Sequence, residues 1–169
     1  ESAVTAWMKK RYDWDVPHEW ITFCPGTLSG IAILINMLSE KGDAVMIFSP
    51  VYNRFFDIIR YNVRKTVECE LINNDSRYEI DFQDMEEKIA AEKVKVLILS
   101  SPHNPVCRIW SIEEQRRITE ICRKHSVIII SDEIHADLTL PGHVHSPFLK
   151  NNMDYAESII VTTSPSKAF

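Results

Sequence analysis

The chain has 169 residues, 45% hydrophobic and 25% charged, a composition that fits one ordinary globular domain and argues against disorder. Its net charge is -5 and no basic run exceeds MKKR at positions 8–11, so a nucleic-acid or anionic-membrane surface is disfavoured and small molecules or other proteins are the expected partners. No apolar run approaches the roughly 18 residues that span a bilayer, and ESAVTAWMKKRY lacks the basic-then-apolar order of a secretory signal, so no membrane contact and a cytoplasmic location are expected.

In chain order, the opening residues read as an amphipathic helix with Ala3, Val4, Trp7 and Met8 on one face. That helix starts in mid-pattern and position 1 is glutamate, so residues 1–169 are expected to be a segment of a longer protein. EWITFC (19–24) reads as a short strand closed by Pro25-Gly26. A helix follows with Leu28, Ile31, Ala32, Ile35 and Leu38 at helical spacing, and Gly42 is placed to end it. AVMIF (44–48) is a buried strand, and Phe55, Phe56, Ile58 and Ile59 predict a helix starting near Pro50. From Val63 the pattern alternates through Val67, Cys69 and Leu71, as in a half-buried strand.

DFQDMEEKIAAEK predicts a helix with Asp81 as N-cap and Phe82, Met85 and Ile89 inward. VKVLILSS (94–101) is a strand, and residues 111–125 form a helix opened by a capping box of Ser111 and Glu114. VIIIS (127–131) and SIIVTT (158–163) are two more strands. The four cysteines, 24, 69, 107 and 122, show no CxxC spacing and read as reduced, mostly buried thiols. Strands apolar on both faces, alternating with helices, imply a layered α/β fold around a largely parallel sheet.

In open α/β sheets ligands bind beyond the carboxyl ends of the strands, where loops and helix N-termini converge. Pro25-Gly26-Thr27 follows the first strand and Tyr52 the second. His103 and Asn104 follow VKVLILSS, Asp132 and His135 follow VIIIS, and Ser164, Ser166 and Lys167 follow SIIVTT. Taken singly, PGT is an ordinary turn, Tyr52 a core aromatic, SPHNP a turn and Lys167 a solvated charge. Asp132 is more pointed, because a carboxylate directly after an apolar run is costly to desolvate unless it meets a cation or a donor. Two rival readings of the same region are a DExH-type ATPase strand and a metal site from His135, Asp137, His143 and His145. The first needs a G-x-x-x-x-G-K-[ST] loop that the sequence lacks, and the second has no fixed ligand spacing.

Taken together, SPVYNRF, SSPHNPVCRIW, ISDEIHADL and TTSPSKAF resemble the pyridoxal-phosphate enzymes of the aspartate aminotransferase fold, fold type I. The closest resemblance is to the carbon-sulfur lyase branch, often called cystathionine β-lyase. The spacing of the set is specific: 28 residues from Asn104 to Asp132 and 35 from Asp132 to Lys167. The resemblance implies a three-layer α/β sandwich, with residues 1–169 as part of the cofactor-binding large domain. An N-terminal segment, the rest of the large domain and a C-terminal small domain would lie outside it.

The resemblance also implies roles. Lys167 would bond covalently to pyridoxal 5'-phosphate, Asp132 would hold the proton on its ring nitrogen, Asn104 would bond its 3-hydroxyl, and Tyr52 would stack on its face. Ser164, with Gly26, Thr27 and Leu28, would take the phosphate, Ser166 would assist, and His135 stands where many aminotransferases place a tyrosine. The implied reaction is β-elimination from L-cystathionine or a related cysteine thioether, in a protein that is a homodimer at full length. The chemistry asks for these residue types: a buried aspartate stabilises a pyridinium, a desolvated lysine is a good nucleophile, and a phosphate suits a helix N-terminus. Cys107 stands where the family usually has glycine, and PGTLSGI departs from the usual phosphate turn. An aminotransferase would use the same cofactor residues, and a non-catalytic chain that keeps the fold is a third reading.

Overall fold

The computed structural model describes residues 1–75 and 77–168. In chain order the elements are α1 (Ser2–Tyr12), α2 (Thr27–Leu38), β1 (Ala44–Ser49), α3 (Arg54–Tyr61), β2 (Lys65–Glu70), β3 (Ile72–Asn74) and β4 (Arg77–Glu79). There follow α4 (Phe82–Glu92), β5 (Val96–Ser100), α5 (Ile112–Lys124), β6 (Ile128–Asp132), α6 (Phe148–Asn151) and β7 (Ile159–Thr162). Five strands form one sheet in the order β2-β1-β5-β6-β7, and every pairing in it is parallel.

The two-residue period of a strand explains why these runs are apolar throughout. Met46, Phe48, Leu97, Leu99 and Ile129 face one layer, built from Met85 and Ile89 of α4, Ile118 and Cys122 of α5, and Phe148 of α6. Val45, Ile47, Val96, Ile98 and Ile130 face the other, built from Ile31 and Ile35 of α2 and Phe55 and Ile59 of α3. The result is the expected three-layer sandwich. Each fully buried side chain of this size contributes about 1.5–3 kcal/mol by leaving water, and the central strands carry polar residues only in their last two positions.

Local signals are realised at the helix ends. The Asp81 carboxylate accepts from the amides of Gln83 and Asp84 at 3.0 Å, capping α4. Ser111 Oγ accepts from the Glu114 amide at 3.1 Å while Glu114 Oε2 accepts from the Ser111 amide at 2.7 Å, closing the capping box of α5. The C-terminus of α2 is closed differently from the expectation. The helix ends at Leu38, and Gly42 (φ +92°) belongs to the turn before β1. The buried Arg64 guanidinium donates to the carbonyls of Ile35 and Ser39 and to Asn36 Oδ1, so a cation satisfies the negative end of the helix dipole.

Other departures have physical reasons. EWITFC forms a 3-10 turn at His18–Trp20 followed by irregular chain, because β-formers become a strand only when a neighbour presents its amides and carbonyls, and none does so among the described residues. Phe23 is correspondingly 70% exposed. The antiparallel pair β3 and β4 falls on the segment after the alternating strand, where Asp75, at φ +43°, opens the turn between them. The face of α1 is only partly covered, and its buried residue is Tyr12. Of the cysteines, Cys69 and Cys122 are buried, while Cys24 and Cys107 are exposed, correcting the expectation that most are buried. All four are free thiols. Among the described residues no helix is long and apolar enough to cross a membrane.

Candidate active site

Because the five strands are parallel, the loops after β1, β5, β6 and β7 leave from one edge of the sheet. The N-terminus of α2 reaches the same edge. The helix packs across β6 and β7, and its C-terminal end feeds the start of β1, so its other end lies about 18 Å away beside the strands' carboxyl ends. The edge is cross-tied: the Ser101 amide donates to the Asp132 carbonyl at 2.9 Å, and the Glu133 amide donates to the Thr162 carbonyl at 2.8 Å.

Asp132 is the last residue of β6 and, two residues after Ile130, points to the α2 side of the sheet. It is 5% exposed. Its Oδ1 accepts from the Ile134 amide at 3.3 Å and from Thr162 Oγ1 at 3.2 Å. Burial pushes its pKa up to about 6; the Ile134 amide and the Thr162 hydroxyl hold it down against that, and the charge of Glu133 adds to the rise.

Lys167 closes a 3-10 turn (Pro165–Lys167) just beyond β7. Ser164 caps that turn, accepting from the Ser166 amide at 3.2 Å and donating its hydroxyl to Ser166 Oγ at 3.0 Å. The lysine side chain is exposed, and its charge acts on the half-buried His135: desolvation first, and Lys167 second, lower the imidazole pKa. The pair thus lies at one end of the edge, with Asp132 three residues before His135.

Asn104 is half-buried in the turn after β5, with its amide donating to Ser100 Oγ at 3.3 Å. The neighbouring His103 is buried, and its Nε2 lies 3.0 Å from the carbonyl of Pro50. A carbonyl only accepts, so Nε2 carries the proton; Nδ1 is buried with no hydrogen-bond partner among the described residues, and desolvation lowers the imidazole pKa, which keeps the ring neutral. His103 therefore ties the loop of Asn104 to the loop of Tyr52. Trp110 packs edge-on to that imidazole at 5.2 Å and donates from Nε1 to the Ser100 carbonyl at 3.0 Å. Tyr52 itself is 38% exposed, with its ring edge-on to Phe55 at 6.0 Å.

Gly26 precedes α2 at φ +102°, a conformation that L side chains rarely adopt, and no side chain among the described residues caps the helix. Thr27 is buried and Leu28 packs partly into the core on that side. Cys107 also has positive φ, +55°, so the residue standing where the family usually has glycine costs on the order of 1 kcal/mol.

Two of the four residues named for a metal are engaged elsewhere. His145 Nε2 donates to Glu133 Oε2 at 2.8 Å, and Asp137 accepts from Trp7, Tyr12 and Arg11. Among the described residues no three His, Cys, Asp or Glu side chains converge as metal ligands. Three contributors carry little sequence signal: Thr162, read as part of an apolar strand; His103, read as the neighbour of Asn104; and Glu133. The last is buried on the opposite side of the sheet from Asp132, where Oε1 accepts from the Phe148 amide at 2.8 Å and from Ser131 Oγ at 3.1 Å. A polar residue embedded in or abutting an apolar run was the available signal in each case.

One edge thus offers a dry carboxylate, an amide, a phenol ring, an amine and an uncapped helix N-terminus with hydroxyls nearby. That set suits an aromatic ligand with a basic nitrogen, a polar ring substituent, a phosphate and a carbonyl able to condense with an amine.

Known proteins resemble this chain in sequence and fold. Cystathionine beta-lyase PatB of Bacillus subtilis (strain 168) is 39% identical over 169 residues, covering 100% of this chain and 44% of that protein. Protein MalY of Escherichia coli (strain K12) is 27% identical over 99% of this chain and 42% of its own length. Among solved structures, cystalysin of Treponema denticola, which contains pyridoxal 5'-phosphate, superposes with a TM-score of 0.96 at 39% identity, over 99% of this chain and 43% of that one. The PLP-bound C-S lyase of Staphylococcus hominis gives the same TM-score, identity and coverage. The chain therefore spans less than half the length of these relatives. The family model for aminotransferase class I and II matches residues 1–169, and the chain belongs to that family.

Proposed function

We propose that this chain is the cofactor-binding part of a pyridoxal-phosphate-dependent carbon-sulfur β-lyase acting on L-cystathionine or a related cysteine thioether. The observation that carries the reading is Asp132: a buried carboxylate at a strand end, with both donors on Oδ1 and Oδ2 left to accept from a ring nitrogen. The 39% identity to a cystathionine beta-lyase supports the choice of reaction.

When bound, pyridoxal phosphate supplies a carbonyl for the lysine amine and a protonated ring that accepts the electron pair left at the substrate Cα. Asp132 holds the proton at the ring nitrogen. Asn104 binds the ring 3-oxygen and Tyr52 covers a ring face. The amides at Gly26, Thr27 and Leu28, with the hydroxyls of Ser164 and Ser166, receive the phosphate. His135 stands beside the reacting amine. Lys167 would hold the cofactor through its Nζ, and its amine, when free, would be the base for the substrate Cα proton in a β-elimination that releases the sulfur as thiolate. Overall, thioether and water give thiol, pyruvate and ammonia. The reading includes a small amino-acid substrate, a homodimer at full length and a cytoplasmic location.

The test is product analysis with the full-length protein. Cystathionine should give pyruvate, ammonia and free thiol in equal amounts, and Lys167→Ala should abolish all three. Stoichiometric keto acid with pyridoxamine phosphate would instead make the protein an aminotransferase. Absence of any visible cofactor band in the loaded wild type would identify a non-catalytic chain.

A further inference from the structure

We propose that Thr162 is a positioning residue for the site: its hydroxyl fixes the plane of the Asp132 carboxylate so that Oδ2 is presented to the ring nitrogen of the cofactor. The proposal rests on the reading above for the identity of the ligand, and on this chain's own geometry for the rest.

Asp132 and Thr162 are directly paired residues on the parallel neighbours β6 and β7. Thr162 Oγ1 lies 3.2 Å from Asp132 Oδ1, and the other donor to that oxygen is the Ile134 amide at 3.3 Å. A carboxylate turns about its Cβ–Cγ bond with little resistance when a single donor holds it. Two donors from different directions, one a backbone amide just past the end of its own strand and one a hydroxyl on the next, define its plane. Both fall on the same oxygen, so the second oxygen keeps its lone pairs for a ligand.

The hydroxyl is itself held in place. The Thr162 carbonyl accepts from the Glu133 amide at 2.8 Å, and Thr163 Oγ1 donates to the Glu133 carbonyl at 3.4 Å, so the end of β7 is laced to the end of β6 around Asp132. Threonine is stiff about χ1, which aims the hydroxyl once its backbone is fixed. Lys167 lies five residues further along the same chain segment. The segment that carries the amine therefore also sets the partner of the ring nitrogen, and the two ends of the ligand are registered by one element.

The experiment compares wild type, Thr162→Val and Thr162→Ser. Valine keeps the branched shape and the strand preference but removes the donor; serine keeps the donor. In the cofactor-free protein, the carboxyl carbon of Asp132, followed by carbon-13 NMR, should titrate about half to one pH unit higher in Thr162→Val, because the ionised form has lost a donor. Thr162→Ser should titrate within a few tenths of wild type. In the loaded protein, pyridoxal phosphate affinity should fall about three- to tenfold in Thr162→Val and recover in Thr162→Ser. An unchanged Asp132 titration in a folded Thr162→Val protein overturns the proposal, and so does an unchanged cofactor affinity when wild type binds. If wild type takes no cofactor, the reading of the function is what has failed, while the titration still decides whether Thr162 holds Asp132. Should valine not be accepted, Thr162→Ala puts the same two measurements to the same use.

Discussion

At the scale of single residues, Asp132 shows how function and stability oppose each other. Its carboxyl is buried, meets two neutral donors and, among the described residues, no cation, and burial pushes its pKa from the usual 3.8 up to about 6. A group whose folded-state pKa is raised binds its proton more tightly in the folded protein. For this acid the folded state loses nothing below the unfolded pKa, loses stability as pH rises between 3.8 and about 6, and carries the full penalty above that. Asp132→Asn should therefore stabilise the cofactor-free protein by roughly 2–3 kcal/mol at pH 7.5 and leave it unchanged near pH 3.5. Urea unfolding at the two pH values checks this, and a pH-independent effect would mean that packing, not ionisation, sets the difference. The asparagine carbonyl oxygen still accepts from Ile134 and Thr162, so the hydrogen bonds are kept while the charge is lost. The sequence pointed to this residue because an acid after an apolar run needs a reason. It could not show Thr162 as its partner, since pairing across strands depends on register.

At the scale of elements, α5 illustrates a local signal that acquires a second, distant task. The capping box of Ser111 and Glu114 is a pattern four residues long and was legible as such. In the structure Glu114 also receives the Arg108 guanidinium through both oxygens, at 2.5 and 2.7 Å, with the two side chains only 11% and 17% exposed. Arg108 in turn lies over the Trp110 ring at 4.9 Å and donates to the Tyr78 carbonyl, joining the β3–β4 hairpin to the turn that carries Asn104. Its own carbonyl accepts from the His103 amide at 2.7 Å. Losing the cap alone should cost about 1 kcal/mol, as in Ser111→Ala. Glu114→Ala should cost more, roughly 2–4 kcal/mol, because it strands a largely buried guanidinium as well as an amide. Denaturant midpoints at unchanged m-value measure both. Equal costs for the two variants would show that the Arg108 contact contributes nothing.

At the scale of the whole molecule, the site exists only because five chain segments far apart in sequence end at one edge of a parallel sheet. A ligand that touches all of them should stabilise the fold as a unit. Pyridoxal phosphate at about a hundred times its Kd should add about 2.7 kcal/mol, seen as a rise in melting temperature, and the rise should shrink in Lys167→Ala. An identical rise in that variant would place the cofactor away from Lys167. What the sequence by itself determined is the class of fold, and it supplied the candidate residues for a site. Periodicity identified the five sheet strands and the principal helices, because an apolar run flanked by helical patterns can be buried in few ways. The polar residues after those runs named Tyr52, Asn104, Asp132, His135, Ser164, Ser166 and Lys167. Only the tertiary structure decided which residues hold these in place. EWITFC is no strand, since strand formation depends on a neighbour that the segment's own residues do not specify. The roles of Thr162, His103 and Glu133 likewise came from strand order and register. Hydrophobic spacing says that a residue is buried, but a hydrogen bond needs a partner within about 3 Å, and that distance is fixed only when separate elements pack.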